Sequence, residues 1–481
     1  MFLNIISAMT SESVLEIFKT ITTIPRESGY EEPMTNWLQE WAKAHNLACK
    51  RDTIGNILIT REAAPGKENI PTIVLQGHQD MVCEKVASFE HDFRKDPIPY
   101  EIEDGWMIAK NTTLGADDGI GIAACLALLE SPEPTGKIEC LFTISEETGM
   151  DGAEALQEGF FTGKTLINLD SEDEGQLFIG CAGGLNTRIR FHRYAVDVEE
   201  GLSVVKLTIS NCIGGHSGDD INKGRINAVQ QMARFLYREI PFSYQLISLN
   251  GGGKPNAIAR ECEAVIAVPH LRATRRRFYA FGETLAEEFH ATDPDVKVTF
   301  ETAKARFAVD PQTAFFLISS LHTCPHGVQA MSQDIPGLVQ TSTNLASVKM
   351  MDKGIIEVVT SQRSAAVSER RAIASKVRAN FEIAGAYVKH MYEYPGWNPD
   401  VNSHILKVCV DSYRRLFNQE PEVKAIHAGL ECGLFLEKFP GLDMISFGPT
   451  LRGVHAPGEK LELSTLGKFV DLLNDVVCKF E

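Results

Sequence analysis

Positive charge is scarce in this chain. Its 47 lysines and arginines stand against 64 acidic residues, leaving a net charge of −17. That balance disfavours nucleic acids and anionic membranes as partners and favours solubility. No uninterrupted apolar run is long enough to span a bilayer. The opening MFLNIISAMTSE has no basic region and only a brief apolar stretch, so no signal peptide is expected. The 11 cysteines are odd in number and scattered, without CxxC pairs. Cys125, Cys140 and Cys181 sit in apolar runs and read as small core residues, which fits a reducing cytoplasm. Zincin, Walker A and serine nucleophile-elbow patterns are also missing. No glycine-rich piece combines GxGxxG with the strand and later acid of a dinucleotide site. Low-complexity tracts are absent too.

What is present is a set of ligand-type side chains closing apolar runs. They are His78 in TIVLQGHQD, Asp117 in TTLGADDGIG, Glu147 in CLFTISEETG, Asp170 in TLINLDSE and His455 in MISFGPTLRGVHAPGEKL. The runs at 73–75, 141–144, 166–169 and 444–447 are short, apolar and often β-branched, as buried parallel strands are. Ligands of an open α/β sheet collect beyond the carboxyl ends of its strands. The pattern therefore predicts one pocket ringed by imidazoles and carboxylates, suited to two divalent metals with a water between them.

A chain of 481 residues exceeds one ordinary core, so two or three domains are expected. SESVLEIFKTITTIP reads as an amphipathic helix capped by Ser11 or Ser13 and stopped by Pro25. EEPMTNWLQEWAKAHN reads as a second helix, and strands and helices then alternate to about residue 185 as in a doubly wound α/β layer. After Gly183 and Gly184 the rhythm changes to α+β, with a helix at NAVQQMARFLYREI. It recurs after about residue 303, which suggests a weak structural repeat. EYPGWNPD ends this insertion. The expected architecture is α/β, a catalytic domain of residues 1–185 and 396–481 interrupted by an α+β domain of residues 186–395, with two halves.

Each motif has an ordinary reading beside its chemical one. Strand alternation puts His78 and Asp80 on one face, where Asp80 can orient the imidazole; a buried structural pair would look the same. Asp117 and Asp118 are costly to bury without a cation, yet an isolated Asp-Asp is ordinarily a helix cap. Alternation would send Glu146 and Glu147 in different directions, one to a metal and one free as a base. Isolated acid pairs are usually solvated turns. A lone Asp170 is commonly a turn former, and a histidine in a Pro/Gly loop such as His455 is commonly exposed. Five such positions at run ends are hard to explain as independent accidents. In the insertion, the glycine-rich loops around His216 and Asn256, with Asn344 and Arg363 on neighbouring runs, offer groups to a ligand or simply make turns. Glu431 is a Gly-flanked acid in GLECGLF.

GHQDMV, TTLGADDGIG, SEETGMDGA, LINLDSEDEG, GGHSGDDINKGRINA, NAIAR, GLECGLF and HAPGEKL occur in this order over nearly the whole chain. Together they resemble the M20 metallopeptidases, and within them the aminoacyl-histidine dipeptidases. The resemblance implies a zinc-peptidase fold with a lid and a co-catalytic pair of divalent ions, most often Zn²⁺, with Co²⁺ or Mn²⁺ as alternatives. It implies Asp117 as the bridge, His78 and Asp170 on one ion, and Glu147 and His455 on the other. The two ions would lie about 3.5–4 Å apart. Glu146 matches the general base, Asp80 the acid that orients His78, and His216 a histidine that stabilises the oxyanion. Arg363 matches a residue for the substrate carboxylate, with Asn256 assisting, and Glu431 is a candidate for the substrate amine. A cis peptide between Asp117 and Asp118 is implied as well. Asp118 stands where many relatives have asparagine, and Cys83 where proline is expected. The implied enzyme is a cytoplasmic, homodimeric dipeptidase for small Xaa-His and other dipeptides. Its alternatives are a deacylase or carboxypeptidase acting on N-acyl amino acids, or a non-catalytic metal- or peptide-binding relative. The insertion would have to close over the metals, hinged near Gly183 and Gly184 and near Pro395 and Gly396. It is long enough for all site residues to come from one chain.

Overall fold

The computed structural model describes residues 9–239 and 243–481. The expectation about a signal peptide thus concerns a segment whose residues 1–8 lie outside the described ones, as does Ile240, the end of a predicted helix. The chain divides into two compact units. One comprises Met1–Gly180, Pro399–Ala425 and Leu430–Glu481, and the other comprises Cys181–Asn398 and Ile426–Gly429.

An eight-stranded mixed sheet organises the first unit. Its order is Ala48–Arg51, Ile57–Arg61, Ile138–Thr143, Ile73–His78, Thr165–Asn168, Asp443–Ser446, Gln176–Cys181, Glu422–Ile426. The four middle strands, from Ile138–Thr143 to Asp443–Ser446, are parallel. Every residue of Ile73–His78, Ile138–Thr143 and Thr165–Asn168 is buried. Burial on both faces is why these strands carry continuous apolar runs rather than alternation. The outer strands depart from the doubly wound expectation: Ala48–Arg51, Ile57–Arg61 and Gln176–Cys181 all pair antiparallel. Register brings the strand ends together, with His78 opposite Thr143 and Asn168 opposite Ser446.

Helix Ala116–Glu130 is buried along residues 116–129. A helix apolar on all sides must lie inside, and this one packs on strand Ile73–His78 and helix Ser11–Ile21. Helix Ser11–Ile21 is capped one residue earlier than expected. Thr10 is the N-cap, and Ser13 answers it from the third helical position in a reciprocal capping box. No described helix is long and apolar enough to cross a membrane.

The second unit is built on one nine-stranded sheet with four helices of 12 residues or more. Residues before and after about 303 both contribute strands to this sheet. Strand Gln245–Gly252 pairs with Val339–Met351 through Gly251 and Gly252, and Gly183–His192 pairs with Ile355–Ser364 along its whole length. The core of the unit joins residues from both stretches, among them Val229, Met232, Phe278, Leu317, Val358 and Phe381.

The boundaries differ from the expected 185/186 and 395/396. Gly183 and Gly184 are not a linker. They begin strand Gly183–His192, paired with Ser364 and Arg363. A Cβ on Gly183 would lie 2.5 Å from the Gly396 nitrogen and 2.6 Å from the Tyr394 carbonyl. These glycines permit close backbone packing rather than a turn. The two crossing segments run side by side, Cys181 and Trp397 exchanging backbone hydrogen bonds of 2.8 and 2.9 Å. The four residues Ile426–Gly429 return to this unit, an excursion the sequence did not announce. The amide of Ala182 is shared between the carbonyls of Ile426 and Ala428.

Candidate metal centre

The first unit's parallel strands end in short loops, and those loops carry the ligand-type side chains. His78 closes its own strand; Asp170 lies two residues beyond Thr165–Asn168. Glu146 and Glu147 sit in a helical turn, Glu146–Gly149, after Ser145 at φ +52°. Helical geometry, not the alternation of a strand, therefore decides where these two carboxylates point. Asp117 is the second residue of the buried helix, which follows Gly115 at φ +69°, and the Asp117–Asp118 peptide is cis. His455 stands in the loop beyond Asp443–Ser446, itself at φ +63°.

The structure brings these five residues together. His78 Nε2 lies 2.9 Å from Asp117 Oδ1 and 3.7 Å from Asp170 Oδ1. His455 Nε2 lies 3.1 Å from Asp117 Oδ2 and 2.9 Å from Glu147 Oε1. Two groups able to hold a cation result, His78–Asp117–Asp170 and Asp117–Glu147–His455, and they share Asp117. Glu146 joins His78 and Glu147 in a third grouping. The donors are imidazole nitrogens and carboxylate oxygens, which suit Zn²⁺ and its neighbours in the divalent series. The set fits two ions bridged by one carboxylate.

The electrostatics agree with that fit. Burial alone would lower the His78 pKa, but Asp170, Asp117 and Asp80 hold it well above the ordinary range. Hydrogen bonds to the carboxylates of Asp117 and then Glu147 raise His455 to about 11. Burial and the neighbouring Asp117 push the Asp170 carboxyl well up. Burial opposes charge on Asp117 too, yet His455 and His78 keep it below the usual carboxylate range. Burial lifts Glu146 to about 8; His78 opposes this, while Glu431, Glu147 and Asp117 add to it. Crowded carboxylates of this kind are relieved by divalent cations, which favour every ionised form at once.

Asp80 touches more than His78. Its Oδ1 is 3.4 Å from His78 Nδ1, and its carbonyl is nearer at 3.1 Å. The carboxylate accepts from Ser28 Oγ at 2.8 Å and from the amides of Glu146 and Glu147 at 3.0 and 3.2 Å. It thereby holds the turn that carries both glutamates. Asp118 is buried, with Oδ1 accepting from the Gly121 amide. A Cβ on Gly77 would fall 2.2 Å from Asp118 Oδ2, so the strand needs glycine beside it.

Glu431 needs correction as an amine-binding residue. It is 0% exposed. Its Oε2 accepts from Gln76 Nε2 at 2.6 Å and Thr143 Oγ1 at 2.8 Å. Oε1 has no partner among the described residues. A side chain so enclosed cannot touch a dipeptide without opening the sheet end. Gln76 in turn accepts from Asn168 Nδ2 at 2.6 Å, which ties three strand ends together. Nothing in the sequence pattern of Gln76 or Asn168 signalled that role.

The second unit holds its own polar cluster. Arg363 is 6% exposed, with Nη2 3.4 Å from His216 Nε2 and Nη1 donating to Tyr394 Oη at 3.3 Å. His216 Nδ1 lies 3.0 Å from Asp219 Oδ2. His427, on the unannounced excursion, sits 2.7 Å from Ser342 Oγ. Its pKa falls to about 3 through burial and the nearby Arg363 charge, so it is neutral. Asn256 is exposed; Asn344 brackets it by donating to the carbonyls of Pro255 and Ala257. The Arg363 Nε has no partner among the described residues, and the fork of a guanidinium matches the geometry of a planar anion.

Comparison with known proteins agrees with this chemistry. Residues 74–479 match the model of peptidase family M20/M25/M40. The cytosol non-specific dipeptidase of Escherichia coli K12 is 37% identical over 477 residues, 98% of each chain. Among solved structures, the aminoacylhistidine dipeptidase from Vibrio alginolyticus superposes with a TM-score of 0.91 at 36% identity, covering 100% of this chain and 99% of that one. The aminopeptidase PepT from Bacillus cereus shares the fold at a TM-score of 0.57 and 15% identity, with 98% of each chain covered.

Proposed function

Because the chain belongs to peptidase family M20/M25/M40, we propose that it is a dipeptidase working with two divalent metal ions. One observation carries the reading: two ligand triads that share Asp117, with Glu146 grouped beside His78 and Glu147. His78, Asp117 and Asp170 would hold one ion; Asp117, Glu147 and His455 the other. Bound there, such ions supply a water that ionises near neutral pH and positive charge for a developing oxyanion. Glu146 takes the proton of the attacking water. Water adds to the peptide carbonyl, the C–N bond breaks, and Glu146 returns the proton to the leaving amine. His216 serves the oxyanion, and Arg363 with Asn256 receives the substrate carboxylate.

The names of the relatives point to dipeptides, with Xaa-His among those cleaved. Zinc is the ion proposed, the cytoplasm the location and a homodimer the assembly. Chelation should abolish hydrolysis of a dipeptide panel, and two equivalents of Zn²⁺ should restore it. The panel would hold dipeptides with and without a C-terminal histidine, beside N-acyl amino acids. Turnover of the acyl compounds alone would make the protein a deacylase. Full metal loading without turnover of either class would leave a metal-binding protein.

A further inference from the structure

Two buried charged residues outside the ligand set touch the loops that carry it. Glu459 is 2% exposed and lies four residues beyond His455. Its Oε2 accepts from the amides of Leu114 at 2.8 Å and Gly115 at 3.1 Å, and its Oε1 from Ala116 at 2.8 Å. The Asp117 amide follows at 3.5 Å. Consecutive amides turned to one side form an anion-binding nest, and here the anion is an internal carboxylate. The same stretch is stitched by backbone bonds, Gly458 donating to Thr112 and Ala109 to Glu459, both at 2.9 Å.

Arg26 is also 2% exposed. Its Nη1 donates to the carbonyls of Gln79 at 3.1 Å and Asp80 at 2.7 Å, and its Nη2 donates to the carbonyl of Gly115. A Cβ on Gly115 or Gly119 would fall 2.5 or 2.6 Å from Arg26 Nη2, so both glycines make room for the guanidinium. Arg26 thus joins the loop after His78 to the loop before Asp117. Glu459 joins the loop before Asp117 to the loop after His455.

We propose that Arg26 and Glu459 are positioning residues, a buried pair of opposite charge that clamps the three loops bearing His78, Asp117 and His455. Both side chains bind backbone groups, so neither is free to become a ligand. The clamp sets the direction of the Asp117 carboxylate before metal arrives, because the peptide groups ahead of it are held. It balances one buried charge with another and satisfies both with hydrogen bonds, the condition under which buried charge is tolerated. The inference rests on the two-metal reading above.

The test begins on the unaltered protein. In its metal-free form, amide hydrogen exchange at residues 114–116 should be strongly protected; rapid exchange there would overturn the clamp. Metal affinity is then read by competition with a chromogenic chelator. Glu459→Gln keeps the size but turns an N–H donor toward the nest, and Arg26→Lys keeps the charge but loses the fork. Both should bind two equivalents about 10–100-fold more weakly than wild type, the range seen when supporting contacts of metal ligands are lost. Circular dichroism should show both folded. Wild-type affinity in either folded variant refutes the proposal. A wild-type protein that binds no metal would instead sink the two-metal reading itself.

Discussion

Glu146 and Glu147 are neighbours in the chain for which different roles are proposed, and Asp80 holds the amides of both. Glu146→Gln should keep both metals by elemental analysis and lose about 10²–10⁴-fold in kcat, the usual contribution of a general acid–base group. Undiminished turnover with metal bound would require another base. Asp80→Ala should behave differently: the turn loosens, and metal affinity falls together with activity. Protonation gives a second handle. His455 is raised to about 11 and His78 is held above the ordinary histidine range, which favours the protonated imidazole in the metal-free protein. A metal takes the neutral imidazole. Binding should therefore release protons at pH 7, and affinity should rise with pH. Titration calorimetry in buffers of different ionisation heat measures this directly, and zero release would contradict the assignment of those histidines.

At the scale of elements, apolar runs predicted the middle strands well because burial on both faces leaves a local trace. The glycine pair at 183 and 184 stands near the boundary of the two units yet lies inside a strand, for an equally physical reason. A glycine required by a distant backbone looks, in sequence, like a glycine required by a turn. Gly183→Ala pushes a methyl group against the backbone of Tyr394 and Gly396, which cannot swing aside as a side chain could. It should cost about 1–3 kcal/mol in denaturant unfolding, as overpacking does. Thr10→Ala removes half of a capping box and should cost about 1 kcal/mol. A negligible change in the first would mean the strand start yields more easily than its packing indicates.

For the whole molecule, the candidate metal ligands all lie in one of its two compact units. A metal held by these ligands would bind only the folded form of that unit and should stabilise it by mass action, about 2.7 kcal/mol at a hundredfold excess over Kd. Hydrogen exchange should show the gain at strands Ile73–His78 and Thr165–Asn168. A gain confined to the second unit's core would move the metal site elsewhere. Arg363, His216 and His427 belong to that second unit. Arg363→Met should therefore leave metal content unchanged while raising KM for dipeptides.

Sequence by itself determined the ligand-type residues and the strand-end pattern, because a buried parallel strand and a metal-binding side chain are both recorded in residue type. It carried the family in motifs that keep their order along the chain. Only the tertiary structure decided the rest. The burial of Glu431 depends on Gln76 and Thr143, hundreds of residues away. The nest that Glu459 fills is made of backbone amides, which every residue but proline possesses and which no residue type can advertise. His427 joined the Arg363 cluster because four residues of a returning segment cross into another unit. Chemistry resides in side chains and is written locally. Position resides in backbone contacts made across the fold, and those exist only once it has formed.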